Sequence, residues 1–361
     1  MRNVSATFLA AIGAPHDLIT SMTYTVPGGS PVTMSVKSGA VACDTSQRTR
    51  RTINQMSVYG TLADYKAITT PGTAFHIDHG FDYQAGQTEV VPVFHGELTN
   101  AVQQVGDGTI TLALADHMNW IARCGFVVPF NPPASMTRIQ AITSIVQTAK
   151  PGTTVNVTAT DTGTVGSQAM WTNSAVDAIT ALCRDGAMDA YFQADGSFLI
   201  CDLPSASTAS VWTARGIVKS VARQRPFDKL YNTVVVQPSA TDGSQTWPQQ
   251  VAQIQDTTNP RHPNNIGVVP LFWSSPTITT ATAAMQAAQA LLFRALGTTE
   301  TLSLETLSNP ALEGNDLIRV VIPAVNGEPD DIKQHFIDTF SLDLVTGAMT
   351  TGTRSQPVSI T

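Results

Sequence analysis

Charge is the scarcest ingredient of this sequence. Only 13% of its 361 residues are Asp, Glu, Lys or Arg, against about 25% in an ordinary soluble domain. Apolar residues stand at 42%, so Thr, Ser, Asn, Gln and Gly have replaced the missing charge. Thr-rich, charge-poor sequences with short apolar runs favour strands, because β-branched side chains fit a pleated surface. They also suit a subunit that hides much of its surface in an assembly, since desolvating charge is costly.

Other absences exclude whole classes of function. No apolar run approaches the ~20 residues needed to span a bilayer as a helix, so no membrane insertion is expected. The opening Met1 to Leu9 is weakly apolar and soon interrupted by Gly13 and Pro15, unlike a signal peptide. Four cysteines, Cys43, Cys124, Cys183 and Cys201, show no CxxC or zinc-type spacing. Reduced thiols and assembly in a cytoplasm are the expectation. The net charge of −7 argues against ordinary nucleic-acid binding, which needs clustered cations, but suits a conduit that DNA traverses without sticking. Arg48, Arg50 and Arg51, and more loosely Arg215, Lys219, Arg223 and Arg225, read as a solvated face or as inter-subunit ion pairs.

The pattern along the chain divides it into three parts: 1–128, 129–210 and 211–361. The first opens with a short amphipathic helix, Ser5 to Ile12, and continues in strands. Leu98 to Val105 and Thr109 to Leu114 flank Gly106-Asp107-Gly108, a hairpin signal. Pro129, Pro132 and Pro133 mark the first boundary. Beyond it Ser135 is expected to cap a helix with Ile139, Ile142, Ile145 and Val146 on one face. Ser174 and Asp177 begin a second helix that buries Val176, Ile179, Leu182 and Cys183. A hairpin around Asp195-Gly196 completes an α+β module. The last part holds the strand Leu230 to Val236, a polar stretch from Pro238 to Asn265 expected to be a long loop, and a helix Thr280 to Leu296 ended by Gly297. Strands follow around the turn Asn309 to Asn315, where Gly314 is expected to take φ > 0 and Leu312 to tuck beneath. A final hairpin turns at Thr346-Gly347. The fold class is mainly β with an α+β insert, two β-barrel-like domains flanking the smaller region.

Catalytic alternatives find little support. In His76-Ile77-Asp78-His79 a strand would point His76 and Asp78 one way and His79 the other, which spoils a compact metal site. His16, His95, His117, His262 and His335 stand isolated in sequence. The carboxylate pairs Glu89 with Glu97, Asp185 with Asp189, and Glu300 with Glu305 could serve glycoside hydrolysis. However, each sits where a turn, cap or strand face explains it, and Trp120, Trp171, Trp212, Trp247 and Trp273 are scattered rather than gathered to stack sugars. Thr162-Gly163-Thr164-Val165-Gly166 lacks the lysine of a phosphate loop. No catalytic residue, metal ligand or cofactor is assigned.

Several segments, in order, resemble the tail hub proteins of tailed bacteriophages. Asp177-Ala178-Ile179 to Asp195-Gly196-Ser197-Phe198 is similar to that family's helix-Gly-strand-turn-strand unit. Phe227 to Val236 resembles its N-x-V-x-V strand, and Asp256 to Gly267 its D-P-x-S-P-x-x-x-G loop. The helix before Gly297 leads to Leu307-Ser308-Asn309-Pro310-Ala311-Leu312-Glu313-Gly314-Asn315-Asp316, similar to the family phrase LNPALEPGDVIRV. Met1 to Pro27 resembles minor tail proteins of actinobacterial phages. The loop's Pro260-Arg261-His262 is more basic than usual, and the chain stops after its last hairpin without the long extension many hub proteins carry.

The resemblance implies a structural virion protein at the tail tip, not an enzyme. It implies a homotrimer whose two barrels per subunit form a pseudo-six-fold ring around the DNA path. The implied partners are the distal tail ring, tail tube, tape measure and tip or receptor-binding proteins, with DNA only in transit. The strands around Leu98 to Leu114 and Leu302 to Val321 are the expected ring-forming surfaces. The alternative is a tail-tip peptidoglycan or polysaccharide hydrolase; a third reading is a carbohydrate-binding adhesin.

Overall fold

The structure, a computed structural model, describes residues 1–83, 87–166, 170–205, 208–225, 230–238, 248–275, 278, 280–296, 300–323 and 329–356. Gly297, Phe227, Asp228, Lys229 and residues 239–247 of the polar stretch, Trp247 among them, therefore lie outside the described residues.

In chain order, helix α1 (Ala6–Ala11) precedes strands β1 (Asp17–Thr25), β2 (Val32–Met34), β3 (Val36–Ser38), β4 (Ala40–Asp44) and β5 (Arg51–Tyr59). Helix α2 (Leu62–Ile68) leads to β6 (Ala74–Asp82), β7 (Thr88–Gln104), β8 (Thr109–Asp116) and α3 (Met118–Arg123). Next come α4 (Arg138–Ala149), β9 (Val155–Val157), α5 (Ala175–Asp185), β10 (Met188–Phe192) and β11 (Phe198–Asp202). Then follow β12 (Trp212–Ala214), β13 (Val218–Gln224), β14 (Thr233–Pro238), β15 (Gln250–Gln253), the single turn α6 (Pro263–Ile266) and β16 (Pro270–Ser275). Helix α7 (Ala281–Leu296), β17 (Thr301–Thr306), β18 (Leu317–Ile322), β19 (Asp331–Asp343) and β20 (Met349–Ser355) complete the chain.

The protein is mainly β. Among the described residues fourteen strands join in one sheet whose main path runs β13-β17-β20-β19-β4-β5-β8-β7-β6-β1-β2. Strands from the start and the end of the chain alternate their side chains into one shared core, in which Phe75, Phe94, Met56, Ile337, Leu342 and Leu304 are all buried. A second core lies among α3, α4, α5 and the β10-β11-β9 sheet. A third lies between α7 and the β15-β14-β16 sheet. Trp273 and Ser275 of β16 donate to Asp185 at the end of α5, and Arg184 stacks 3.9 Å from the Trp273 ring centre.

Pairing within the large sheet reveals an internal duplication that the sequence does not display. Strands β4, β5, β6, β7 and β8 connect as β4-β5-β8-β7-β6; strands β13, β17, β18, β19 and β20 connect as β13-β17-β20-β19-β18. Irregularities recur at matching places. The bulge at Leu98/Asn100 in β7 against β8 matches the one at Ile337/Thr339 in β19 against β20. The shift at Val36/Ser38 against β5 matches the one at Val218/Ser220 against β17. Gly108 and Gly347 close the two matching hairpins at the same φ of 65°, a left-handed turn position that glycine occupies without steric cost. The units differ at their flanks. Strand β1 runs antiparallel to β6, whereas β12 runs parallel to β18, and only the second unit carries a long excursion, β14 to α7, between its first two strands.

Several local expectations change. Val90 to His95 and Leu98 to Val105 are one 17-residue strand, β7, bent at its bulge. Thr137, not Ser135, caps α4, because Thr137 and Gln140 form a reciprocal capping box. The stretch to Asn265 is not a bare loop: Gln250–Gln253 adds an edge strand to β14, and Asn232 ties its return through bonds to the Arg261 and Gly267 carbonyls. In the Asn309 turn the left-handed residue is Asn315, at φ 70°. Gly314 is needed for closeness instead, since a Cβ there would lie 2.4 Å from the Thr45 methyl. Leu312 is buried under this turn as expected.

The duplication sets a test of matched positions. Leu342 and Gln103 occupy equivalent places, but only Leu342 is core. Leu342→Ala should cost about 2–5 kcal/mol and Gln103→Ala within about 0.5 kcal/mol, read by urea unfolding in dilute solution.

Candidate functional site

Where the two duplicated units meet the α+β insert, charge that the sequence suggested was solvated is buried. The β4–β5 turn brings Arg50 and Arg51 under the insert. The Arg50 guanidinium pairs with Asp189 on β10 and lies 3.9 Å from the Tyr191 ring centre. Arg48 joins the same carboxylate at 3.5 Å and donates to Thr180 on α5. Asn315 of the second unit donates to Asp189 at 3.0 Å, and Arg354 of β20 donates back to the Asn315 oxygen. Arg51 pairs with Glu313 and donates to the Phe192 carbonyl, and Arg2 reaches the same Glu313 at 2.6 Å. These are internal ion pairs, not a solvated face, and they tie first unit, insert and second unit together.

Burial opposes charge throughout the junction, and neighbours decide the outcome. Burial pushes Asp189 upward, but Arg50 and Arg48 outweigh it and hold the carboxyl below its usual range. The same pair holds the Arg50 guanidinium above its ordinary value despite burial. Asp116 accepts from the Arg50 and Arg51 backbone N–H groups at 2.8 Å each, yet burial pushes it up to about 6.

The histidines separate into bonded places. His76 and Asp78 share one face of β6, 3.1 Å apart, and His79 points into the core, where its Nδ1 meets Thr20 Oγ1 at 2.8 Å. His95 and His117 are not isolated: the chain brings their rings together with Nδ1 and Nε2 2.8 Å apart. The Gly196 turn of the insert sits against His95, and His117 packs edge-on to Phe192. Burial lowers His95 to about 4 and His117 to about 2, so a neutral ring donates to a neutral ring and no space is left between the nitrogens for a cation. Among the described residues no group of three or more His, Cys, Asp or Glu is placed to hold a metal.

The carboxylate pairs do not converge on a shared site. Glu89 accepts from Ser5 and Tyr83, tying α1 to β7; Glu97 is half-buried, and burial raises its carboxyl. Asp185 is held by Trp273 and Ser275, and burial pushes it up to about 6. Glu300 is bound by Arg225 at 3.2 Å, and Glu305 by Ser220 at 3.3 Å. Gly163, in the phosphate-loop-like run, instead lies against the Arg138 guanidinium, which pairs with Asp161 at 2.8 Å. Cys183 is fully buried core, as expected.

One face of the sheet has a different character. Ser220, Glu305, Thr350, Ser341, Ala42 and Thr52 stand in line across β13, β17, β20, β19, β4 and β5. Alternation sends their neighbours Val221, Leu304, Met349, Leu342 and Val41 to the opposite, core side. An open groove of about 460 Å³ runs along this hydroxyl-rich face. No helix of the described residues is long and apolar enough to cross a membrane.

No family model and no curated protein matches the sequence. The fold, however, is that of phage and prophage tail proteins. The chain is similar to a 43 kDa tail protein of prophage MuSo2 from Shewanella oneidensis, with TM-score 0.61 and 14% identity over 94% of this chain and 100% of the other. It is similar to a tail protein from Neisseria meningitidis MC58, with TM-score 0.63 and 13% identity over 94% and 97%. It is also similar to the E. coli c3393 protein, with TM-score 0.52 and 12% identity over 96% and 80%. That protein is a type VI secretion system component described as similar in structure to T4 tail proteins gp27 and gp5.

Two measurements probe the site. Asp189→Ala, which leaves Arg50 buried and unpaired, should cost about 3–5 kcal/mol, whereas Arg50→Met with Asp189→Leu should cost much less; denaturant titration distinguishes them. His79 has its pKa lowered by burial to about 4, below the ~6.5 of an unfolded chain. A base depressed on folding supports stability above its unfolded pKa, and that support is lost as pH falls from ~6.5 toward 4. The stability of the native chain relative to His79→Gln should therefore fall over that window and level off below it, in urea titrations at stepped pH.

Proposed function

We propose that the protein is a structural subunit of a phage tail tip, a tail hub that assembles as a trimeric ring around the path of the DNA. The observation that carries this reading is the internal duplication. A chain with two like β units can meet six-fold neighbours with three copies, because each copy offers two similar surfaces. In this reading 1–128 and 211–361 supply the two ring units and 129–210 is the insert that braces them. The tail fold, the low charge and the pairing of most buried cations inside the chain support it.

The partners would be the distal tail ring and tail tube on one side and tip or receptor-binding proteins on the other, with the tape measure and DNA in the lumen. The hydroxyl-rich sheet face suits such a lumen, since neutral and acidic groups give phosphate no cations to exchange. Among the described residues no active-site geometry favours hydrolase activity.

Light scattering across a concentration series tests the proposal. A trimer, or a trimer that forms as concentration rises, supports the ring. A monomer throughout, joined to release of fragments from cell walls, would replace it with the hydrolase.

A further inference from the structure

The two duplicated units are joined inside the chain by one strand pair. Strand β19 lies antiparallel to β4, with Thr339 opposite Asp44, Phe340 opposite Cys43, Ser341 opposite Ala42, Leu342 opposite Val41 and Asp343 opposite Ala40. The duplicated counterparts of these strands are the second half of β7 and strand β13. Neither has a partner on the corresponding side among the described residues. Strand β6 accompanies β7 only as far as Glu97, leaving Leu98 to Gln104 paired with β8 alone. Strand β13 pairs with β17 alone. One chain thus contains a completed joint and, separately, its two open halves.

Burial follows the same division. Leu344, at the tip of the β19–β20 hairpin, is 2% exposed and donates its N–H to the Gly39 carbonyl across the joint. Its counterpart Val105 is 94% exposed. Phe340 is buried, while its counterpart Ala101 is half-buried and Val102 beside it is 46% exposed. From Leu98 to Gly106 there is no charge and no proline, so the devices that normally keep a bare edge from pairing are missing. On β13, Arg223 is tied to Asp331, and Arg225 just beyond it to Glu300.

We propose that these half-joints meet between copies of this chain: the Asn100–Gln104 edge of one copy adds antiparallel to the Val218–Gln224 edge of the next. The register of the internal joint then places Val102 opposite Gln224, Gln103 opposite Arg223 and Gln104 opposite Ala222. Backbone N–H and C=O groups left open on both edges become paired, and Val105 is covered as Leu344 is. Each copy carries one half of each kind, so the contact is head-to-tail and closes a ring. This rests on the reading of the chain as a ring subunit and assigns the contact that closes it. It also corrects one expected surface. Strands β17 and β18 have neighbours on both sides, so Leu302 to Val321 offers no free edge, and β13 takes that place.

The full-length chain carrying Val102→Cys with Gln224→Cys tests the register, with Val102→Cys plus Lys219→Cys as the shifted control. Mild oxidation should give disulfide-linked dimers and trimers on non-reducing gels for the first pair and not for the second. Val102→Lys with Gln104→Lys, on exposed positions, should leave the melting temperature of dilute protein unchanged while raising the concentration needed for assembly by about ten-fold or more. A trimer by mass that shows no in-register link, links equally through the control, or ignores the lysines overturns this joint and leaves the ring standing. A monomer at every concentration overturns both.

Discussion

The structure depends on one constraint: backbone hydrogen-bonding groups at a strand edge must find partners or face water. Strand β19 meets it in two halves. Asp331 to Phe336 pairs with β18 and Thr339 to Asp343 with β4, the bend between them falling at the bulge. That split lets the last strands of the chain continue the sheet begun by the first, and it lets Phe340 and Leu342 enter the same core as Val41 and Cys43. The units are therefore halves of one sheet, and neither end of the chain completes the core without the other.

Directional polar contacts, with some ring packing, fix the insert to this sheet. Its own core is separate from that of the large sheet, and the polar connections that cross the boundary include Arg50–Asp189, Arg48–Thr180, Arg51 to the Phe192 carbonyl and Asn315–Asp189, beside the packing of His117 on Phe192 and of the Gly196 turn on His95. Ion pairs of this kind contribute little net stability once desolvation is counted, but they are directional. A planar guanidinium donates in fixed directions, so these contacts favour one orientation of the insert relative to both units. Four of the twenty Lys and Arg residues, Arg2, Arg48, Arg50 and Arg51, are consumed in ion pairs at this junction.

Local elements were legible in the sequence where one periodic pattern dominated. Helix α5, the Asp195-Gly196 hairpin and the β20 hairpin turn lie where capping, glycine and alternation put them. The mainly β class followed from Thr and Val content. Two β-rich parts flanking an insert were legible, but the joint, the strand-by-strand duplication and the charged junction were not, for a physical reason. They are relations between segments far apart in the chain, 139 residues for Arg50 and Asp189 and about 300 for the facing strands β4 and β19, and β4, with five residues, carries no pattern that names its partner. His95 and His117 looked isolated for the same reason, since a hairpin and a helical corner bring them together. Arg50 and Arg51 looked solvated because burial of a cation is decided by a carboxylate elsewhere, and Asp189 lies in another module.

The two units share geometry while their sequences differ, and the way they differ carries information. Equivalent positions keep their bulges and their φ of 65°, because these set strand curvature and any change would spoil every pairing beyond. Side chains changed where surroundings differ: Phe340, Leu342 and Leu344 face the internal joint, whereas Ala101, Gln103 and Val105 take the same places on a bare edge. Were that edge meant to stay solvated, lysine or proline would serve it better than Ala, Val and Gln. Small, uncharged residues instead keep the edge soluble enough to exist alone and free of charge that pairing would desolvate. On the proposed reading, that compromise suits a contact made by assembly rather than by folding.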